Sequence, residues 1–476
     1  MRHRTRLSLA LTLALLGAGC AVGPDYRRPD APLAAQFKEA QGWQAARPQD
    51  QLERGKWWEM FGDAQLNALQ EQLQISNQTI RAAQARYRQA SALVRQARSS
   101  FLPTIGASAQ TTRSSFGGGS AASANADTSR QIGQRYSAGL NASWELDVWG
   151  RIRRDVEASA AAAQASEADL AAARLSAQAE LALNYFQLRI SEAQQRLYEK
   201  TVADYEKSLE LTRNQYAVGV AGRSDVVQAE AQLKAAQAQA VDIGVQRAQL
   251  EHAIAVLIGK APAELALDYS EPPAGLPTVP PGLPSDLLQR RPDIASAERQ
   301  VAAANARIGV ARSAYFPSLT LSGSGGYQSN AFDHWFTAPN RFWSVGPELA
   351  LTLFDFGARR AQSEQAVAAY DETVANYRQT VLSGLQEVED NLAALRLQSQ
   401  EMEFQEAAVR SAREALTLVN NQYKAGTVSF LNVLTAENTA LTNERALLQL
   451  RGQQFSASVN LIKALGGSWD GQLAAP

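Results

Sequence analysis

Along residues 136–148, apolar and polar side chains alternate without a break. Tyr136, Ala138, Leu140, Ala142, Trp144, Leu146 and Val148 share one face, and Ser137, Gly139, Asn141, Ser143, Glu145 and Asp147 take the other. A period of two over that length predicts a β-strand with one apolar face. "VGPELALTLFDF" repeats the pattern with Val345, Pro347, Leu349, Leu351 and Leu353; "PTIGASAQTT" and "PSLTLSGSGGY" alternate more weakly. Four strands are therefore expected, over about 101–114, 134–148, 315–328 and 341–355. Elsewhere the period changes. Residues 150–217 and 357–424 hold no proline, and apolar positions such as Leu181, Tyr185, Leu188, Val202, Tyr205, Leu209 and Tyr216 recur at three, four and seven. Each segment predicts a helix about 100 Å long at roughly 1.5 Å per residue. Shorter return helices are expected over about 223–258 and 430–465.

The chain reads as two copies of one unit. "QYAVGVAGRSDVVQAEAQL" begins at Gln215 and "QYKAGTVSFLNVLTAENTAL" at Gln422, 207 residues later. Gly150 and Gly357, and Gly259 and Gly466, keep the same offset, whereas Pro103 and Pro317 lie 214 apart. The seven-residue difference belongs in a loop between the first two strands. The expected organisation is an N-terminal signal over 1–19, then a segment over 20–62 packing on the helical equator. The first repeat follows over 63–270, a proline-rich linker over 271–286, the second repeat over 287–467 and a tail over 468–476. The heptad-like stripe also fits a solvated coiled coil. Two equivalent hairpins, each with a glycine-containing turn, favour a wall of repeating staves.

Outside the N-terminus no apolar run reaches the roughly 18–20 residues of a membrane-spanning helix. Strands of about 9–11 residues suffice for a transmembrane barrel. Aromatic residues at the strand ends, including Phe101, Trp149, Tyr315, Phe316, Phe342, Trp343, Phe354 and Phe356, suit interfacial girdles. A soluble sandwich with one buried face is the other reading, and rods of that length argue against it. Four strands alone would leave unsatisfied edges in lipid, so copies must close a ring. The expected fold class is an α+β membrane protein: a long α-helical coiled-coil barrel plus a transmembrane β-barrel formed by trimerisation, with four strands per chain and twelve in total. Segments 115–133 and 328–341 would be its external loops.

Residues 1–20 carry Arg2, Arg4 and Arg6, then an apolar run from Leu7 to Leu16, then Gly17, Ala18 and Gly19 before Cys20, the only cysteine. This is the pattern of a secretory signal. Small residues before a cysteine resemble a bacterial lipoprotein cleavage site, with Cys20 as the lipidated new N-terminus. Such sites usually carry Leu where this chain has Gly17. An ordinary signal peptide that leaves Cys20 a free thiol is the other reading. Ala21, where an Asp would direct inner-membrane retention, points to the outer membrane. Cleavage leaves 43 basic against 47 acidic side chains, a net charge of −4. That charge gives no electrostatic case for nucleic acid. Histidine occurs only at 3, 252 and 334, so a histidine metal cage or a catalytic triad is poorly supplied, and no enzyme is expected. Met1, Met60 and Met402 are too few for a methionine relay for copper. The "GGG" at 117–119 lacks the lysine of a phosphate loop. No cofactor is expected beyond the covalent lipid.

"LLQRRPDIASAERQVAAANARIGVARSAYFPSLTL" at 287–321 resembles the signature of the outer-membrane efflux lipoproteins, the TolC-like, OprM/NodT-type channels. "KWWEMFGDAQLNAL" at 56–69 and "GCAVGPDYRRP" at 19–29 are similar to that family's N-terminal elements. The resemblance covers residues 7–467. It implies a homotrimeric exit duct in the cell outer membrane, with a helical tunnel in the periplasm. Its implied partners are a periplasmic adaptor, an inner-membrane transporter of the resistance–nodulation–division type and outer-membrane lipid. A duct for type I protein secretion or metal-ion efflux is the alternative. A structural coiled coil or adhesin is disfavoured by paired strands in each repeat.

The resemblance places closure and adaptor contact at the hairpin tips. These are Gly219, Val220, Ala221, Gly222 and Arg223 in the first repeat, and Gly426, Thr427 and Val428 in the second. The family's second tip usually carries a Leu, then an Asp, then an Arg. Here those places hold Leu431, Thr435 and Asn438, so a ring of Leu431 remains to gate by dewetting while the charged pair is missing. Asp225, beside Arg223, supplies either an acidic ring or an intersubunit pair, or is a helix cap beside Ser224.

Overall fold

The structure is a computed structural model that describes residues 21–32, 34–39, 54–116, 131–273, 275–277, 279, 290–467, 469 and 473. Helices α1 (Ala64–Ser76) and α2 (Gln78–Ser99) lead into strands β1 (Thr104–Phe116) and β2 (Gln131–Leu146). Helix α3 (Arg151–Ala217) and its return α4 (Arg223–Leu257) complete the first half. The second half runs α5 (Pro292–Ser313), β3 (Ser318–Ser329), β4 (Arg341–Ala350), α6 (Ala358–Lys424) and α7 (Phe430–Ala464). Both long helices have 67 residues. Each follows a glycine in the left-handed region, Gly150 or Gly357. An aspartate closes each start. Asp147 accepts the Ile152 and Arg153 amides at 2.9 and 2.8 Å, and Asp355 accepts those of Gly357 and Arg359 at 3.1 Å. These bonds satisfy donors that a helix start leaves free.

The strands form one antiparallel sheet in the order β1–β2–β3–β4. Its register sorts side chains into rows. Ile105, Ala142, Gly323 and Val345 make one row, and Ala107, Leu140, Gly325 and Trp343 the row two residues on. Between them, on the opposite face, stand Gly106, Asn141, Ser324 and Ser344. Over these central rows one face is apolar and the other polar; toward the loop end Arg113 and Arg341 join the first face and Phe342 the second, and β1 and β4 each keep one unpaired edge. Strand β4 stops at Ala350, short of the expected 355, because Ala350 pairs with Ser318, the first residue of β3. Strand β1 begins at Thr104 and not near 101, because Ser100, Phe101 and Leu102 donate backward to close the end of α2. The loop expected between β1 and β2 falls mostly outside the described residues, as do Cys20 and most of the proline-rich linker.

On the sheet side, the helices pack side by side as α2–α3–α5–α6. Toward the tips the order is α4–α3–α7–α6. The main core lies where the two sets meet. There Phe186 of α3 stacks on Phe455 of α7, with ring centroids 4.6 Å apart, and Phe61 caps them at 4.7 Å from Phe186. Trp57 and Trp58, in a 3-10 turn (Arg54–Phe61), bury against the same cluster. Asp63 joins the layers. It caps α1 through the Gln65 and Leu66 amides and accepts the Tyr185 hydroxyl at 2.7 Å. Beside it, Arg189 and Glu192 form a fully buried pair at 2.6 Å, with Arg247 3.1 Å from Glu192. The chain just after Cys20 is also pinned, because the Val22 amide donates to the Trp149 carbonyl at 3.0 Å.

Removing the shared ring should cost as much as any single core change. Phe186→Ala is expected to destabilise the fold by about 3–5 kcal/mol and lower the thermal midpoint followed by circular dichroism in detergent. Phe186→Ala with Phe455→Ala should cost less than the sum of the two singles, because they delete one stack.

Candidate functional site: the paired hairpin tips

Both tips are built by the same local chemistry. Gly219 and Gly426 adopt φ of 81° and 73°, which a side chain would oppose. The Val220 amide donates back to the Gln215 carbonyl at 2.9 Å, and the Thr427 amide to Gln422 at 3.0 Å. The Thr427 hydroxyl adds a second bond to Gln422 at 2.9 Å. At the first tip Gly222 is the N-cap residue and Asp225 sits three places inside the helix. Asp225 therefore does not take the cap position beside Ser224. Its carboxylate reaches back and accepts the Gly222 amide at 3.1 Å, as a residue three inside a helix does in a capping box. Ser429 opens the second return helix, and Leu431 stands 57 % exposed on its first turn.

Behind the tips the two hairpins meet in a small core. Tyr205, Leu209, Ala229 and Leu233 of the first hairpin bury against Tyr423, Phe430 and Val433 of the second. Few polar contacts cross the seam. Gln232 Nε2 donates across it to Asn438 Oδ1 at 2.6 Å and, within its own hairpin, to the Tyr205 hydroxyl at 3.2 Å, and the Thr212 and Tyr423 hydroxyls face each other across it at 3.2 Å. Of the sequence-derived gate residues, only Asn438 takes part in this seam. The Thr435 hydroxyl donates within its own helix to the Leu431 carbonyl at 2.9 Å. Gln232, Tyr205 and Thr212 carried no gate signal in the sequence. The position equivalent to Asn438 in the first repeat is Ala231, so Gln232 lies one residue from where the repeat would point.

A cavity of about 500 Å³ opens between α3, α6 and α7 just above this core, with Lys200, Asp204, Arg413 and Glu437 in its lining. Glu437 is buried, 9 % exposed, and holds no hydrogen bond or ion pair among the described residues. Burial pushes its carboxyl up to about 7, and the charge of Asp204 adds to the rise. Burial likewise raises the Tyr205 and Tyr423 hydroxyls. Among the described residues no group of three or more His, Cys, Asp or Glu side chains is placed to hold a metal ion.

A sheet with one apolar face, set on rods that meet in pairs at their tips, is the geometry of a channel wall. The sequence matches the profile of the outer membrane efflux protein family over residues 69–260 and 283–467. The chain belongs to that family. Its members are channel proteins of the outer membrane. The toluene efflux pump outer membrane protein TtgC of Pseudomonas putida is 34% identical over 474 residues, covering 98% of this chain and 96% of the relative. The pyoverdine export outer membrane protein OpmQ of Pseudomonas aeruginosa is 34% identical over 474 residues, covering 97% of each. The solved outer-membrane channel OprN superposes with a TM-score of 0.88 at 33% identity, covering 95% of this chain and all of that one.

The buried carboxyl makes the tip packing depend on pH, and the sign follows from its direction. Raised from 4.5 to about 7, Glu437 costs the packed tips nothing below about 4.5 and progressively more as pH rises through 7, on the order of 3 kcal/mol in all. Spin labels at Val220→Cys and Val428→Cys should report a tight distance distribution at pH 5 that broadens by pH 8. With Glu437→Gln the distribution should stay tight at both values; equal broadening with Glu437→Gln would show that the carboxyl is not responsible.

Proposed function

We propose that this chain forms a homotrimeric exit duct of a tripartite efflux pump, which passively conducts small molecules from the periplasm to the exterior. The carrying observation is that both layers end in open edges. In the sheet these are β1 and β4. In the helical layer they are α2 and α6 near the sheet and α4 and α6 toward the tips, with Val227, Val241 and Val245 exposed on α4 and Leu397, Phe404 and Leu418 on α6. Three copies would close both edges at once, giving twelve strands over a continuous helical tunnel. The apolar rows would then face lipid and the polar rows the lumen. Ala21 and Val22 sit at the junction of sheet and rod, so a lipid on Cys20 would enter the membrane beside the barrel.

The tips are the resting closure in this reading. Leu431 would form the apolar ring, Asp225 a half-buried acidic site, and Gln232–Asn438 a neutral clasp between the hairpins. A periplasmic adaptor would bind at Gly219–Arg223, Gly426–Val428 and the cavity behind them, and separate the hairpins. An inner-membrane transporter of the resistance–nodulation–division type would supply the energy. TtgC is named for toluene and OpmQ for pyoverdine, two very different solutes on similar walls. The exported compound is therefore set upstream of the duct.

A neutral hydrogen bond is worth about 1 kcal/mol, roughly fivefold in a closed-to-open ratio. Gln232→Ala with Asn438→Ala should raise the open fraction of the reconstituted trimer in planar bilayers by that factor or more. Leu431→Ser with Asp225→Ala should raise it as well, by wetting the ring. Conductance unchanged by both pairs would remove the gate from this position. Deleting the chain from its host should increase drug susceptibility, and a chain without residues 215–224 and 422–431 should not restore it.

A further inference from the structure

At the level of the main core, on the side of α3 away from it, lies a cavity of about 470 Å³ between the two hairpins. Gln187, Ile190 and Gln194 reach it from α3 at spacings of three and four, on the helix face opposite Tyr185, Arg189 and Glu192. Helix α7 contributes Gln449, Gln453 and Asn460. Amides from α4 and α6 complete the lining, which contains no charged side chain, although a fifth of the chain is charged. Gln187, Gln194, Gln449, Gln453 and Asn460 make no side-chain hydrogen bond among the described residues, and Gln398 Oε1 is buried there without a donor. A primary amide offers two donors and an acceptor and repels neither sign of charge. A buried acceptor left without a partner costs free energy that an incoming donor recovers. At the floor Gly452 lets α7 pack closely on α3, since a Cβ there would come within 3.3 Å of Ile190.

We infer that this amide cradle is a solute-binding subsite of the lumen, one per protomer, that takes uncharged hydrogen-bonding groups: amides, hydroxyls and carbonyls. The inference rests on the duct reading, which puts this face on the lumen. Such a subsite would let polar neutral solutes exchange water for protein partners along the tunnel while leaving ions of both signs free to pass.

The test uses the full-length trimer in planar bilayers, with N,N′-diacetylchitobiose as the probe because it carries both acetamide and hydroxyl groups and no charge. The disaccharide should block the ion current in a concentration-dependent way. Gln187→Leu with Gln449→Leu should raise the half-blocking concentration about tenfold, equivalent to one or two neutral hydrogen bonds. Gln449→Glu, which keeps a hydrogen-bonding side chain, should preserve the block within about threefold and shift the reversal potential toward cations. A conducting wild-type trimer that the disaccharide does not block, or a block that the leucine pair leaves unchanged, overturns the subsite. A Gln449→Glu trimer without cation preference shows that the cradle is off the conduction path and overturns it too. A trimer that carries no current even when the tips are released by Gln232→Ala with Asn438→Ala refutes the duct reading itself.

Discussion

Hydrocarbon offers no hydrogen-bond partner to a peptide group, and each unpaired N–H or C=O there costs several kcal/mol. The sheet in this protein has an apolar face fit for lipid and two edges with no partner in the chain. In the proposed duct those two facts call for association, because lipid would suit the face and would leave the edges of a lone chain unpaired. The helices inherit the consequence. They hang from the strands through the caps at Asp147 and Asp355, so closing the sheet would arrange the rods around the same axis. In the proposed trimer the exposed apolar side chains on α4 and α6 would meet across the subunit boundary, where in a lone chain they stand in water.

Duplication supplies most of this economy, and its breakdown makes the two tips unlike. The two rods have equal length, and both hairpins turn on a glycine with positive φ. Yet the equivalent residues Tyr216 and Tyr423 differ sharply, 46 % exposed against 6 %. One hairpin must lie against the other through α3 and α7, so the same sequence pattern meets protein in one copy and water in the other. Tyr423 became the inner residue, packed on Phe430 and bonded to Thr212, and Tyr216 the outer one.

Much of this was legible in the chain. Seven uninterrupted alternations can hardly be anything but a strand with two unlike faces, and proline-free stretches with a heptad stripe fix the rods. Periodicity tells which face a residue occupies but not which residue stands across from it. Gln232 is one of many glutamines on exposed helix surfaces, and only the packing of α4 and α7 places it 2.6 Å from Asn438. The same holds for Glu437, whose sequence neighbours give no hint of burial, and for the amides that converge at the equator. Asp225 shows a finer failure. Gly222 starts the helix, so the aspartate lands at the third helical position and bonds backward, an outcome that depends on a cap residue with no side chain.

Stiffness is distributed unevenly along the rods, and the chemistry explains how. At the equator, Arg189, Glu192 and Arg247 form a buried ionic network beside stacked aromatic rings. Removing one partner of such a network leaves an uncompensated buried charge, so the region resists local opening. At the tips the hairpins share a small core, one amide–amide bond and a pair of hydroxyls. Neutral bonds of that kind contribute about 1 kcal/mol each, roughly half of what charge-assisted ones supply. A charged clasp would hold harder but would also leave desolvated charges behind when broken. A neutral clasp opens into water at little cost on either side. That balance would suit the proposed closure, which a docking protein would release reversibly while the wall above it keeps its shape.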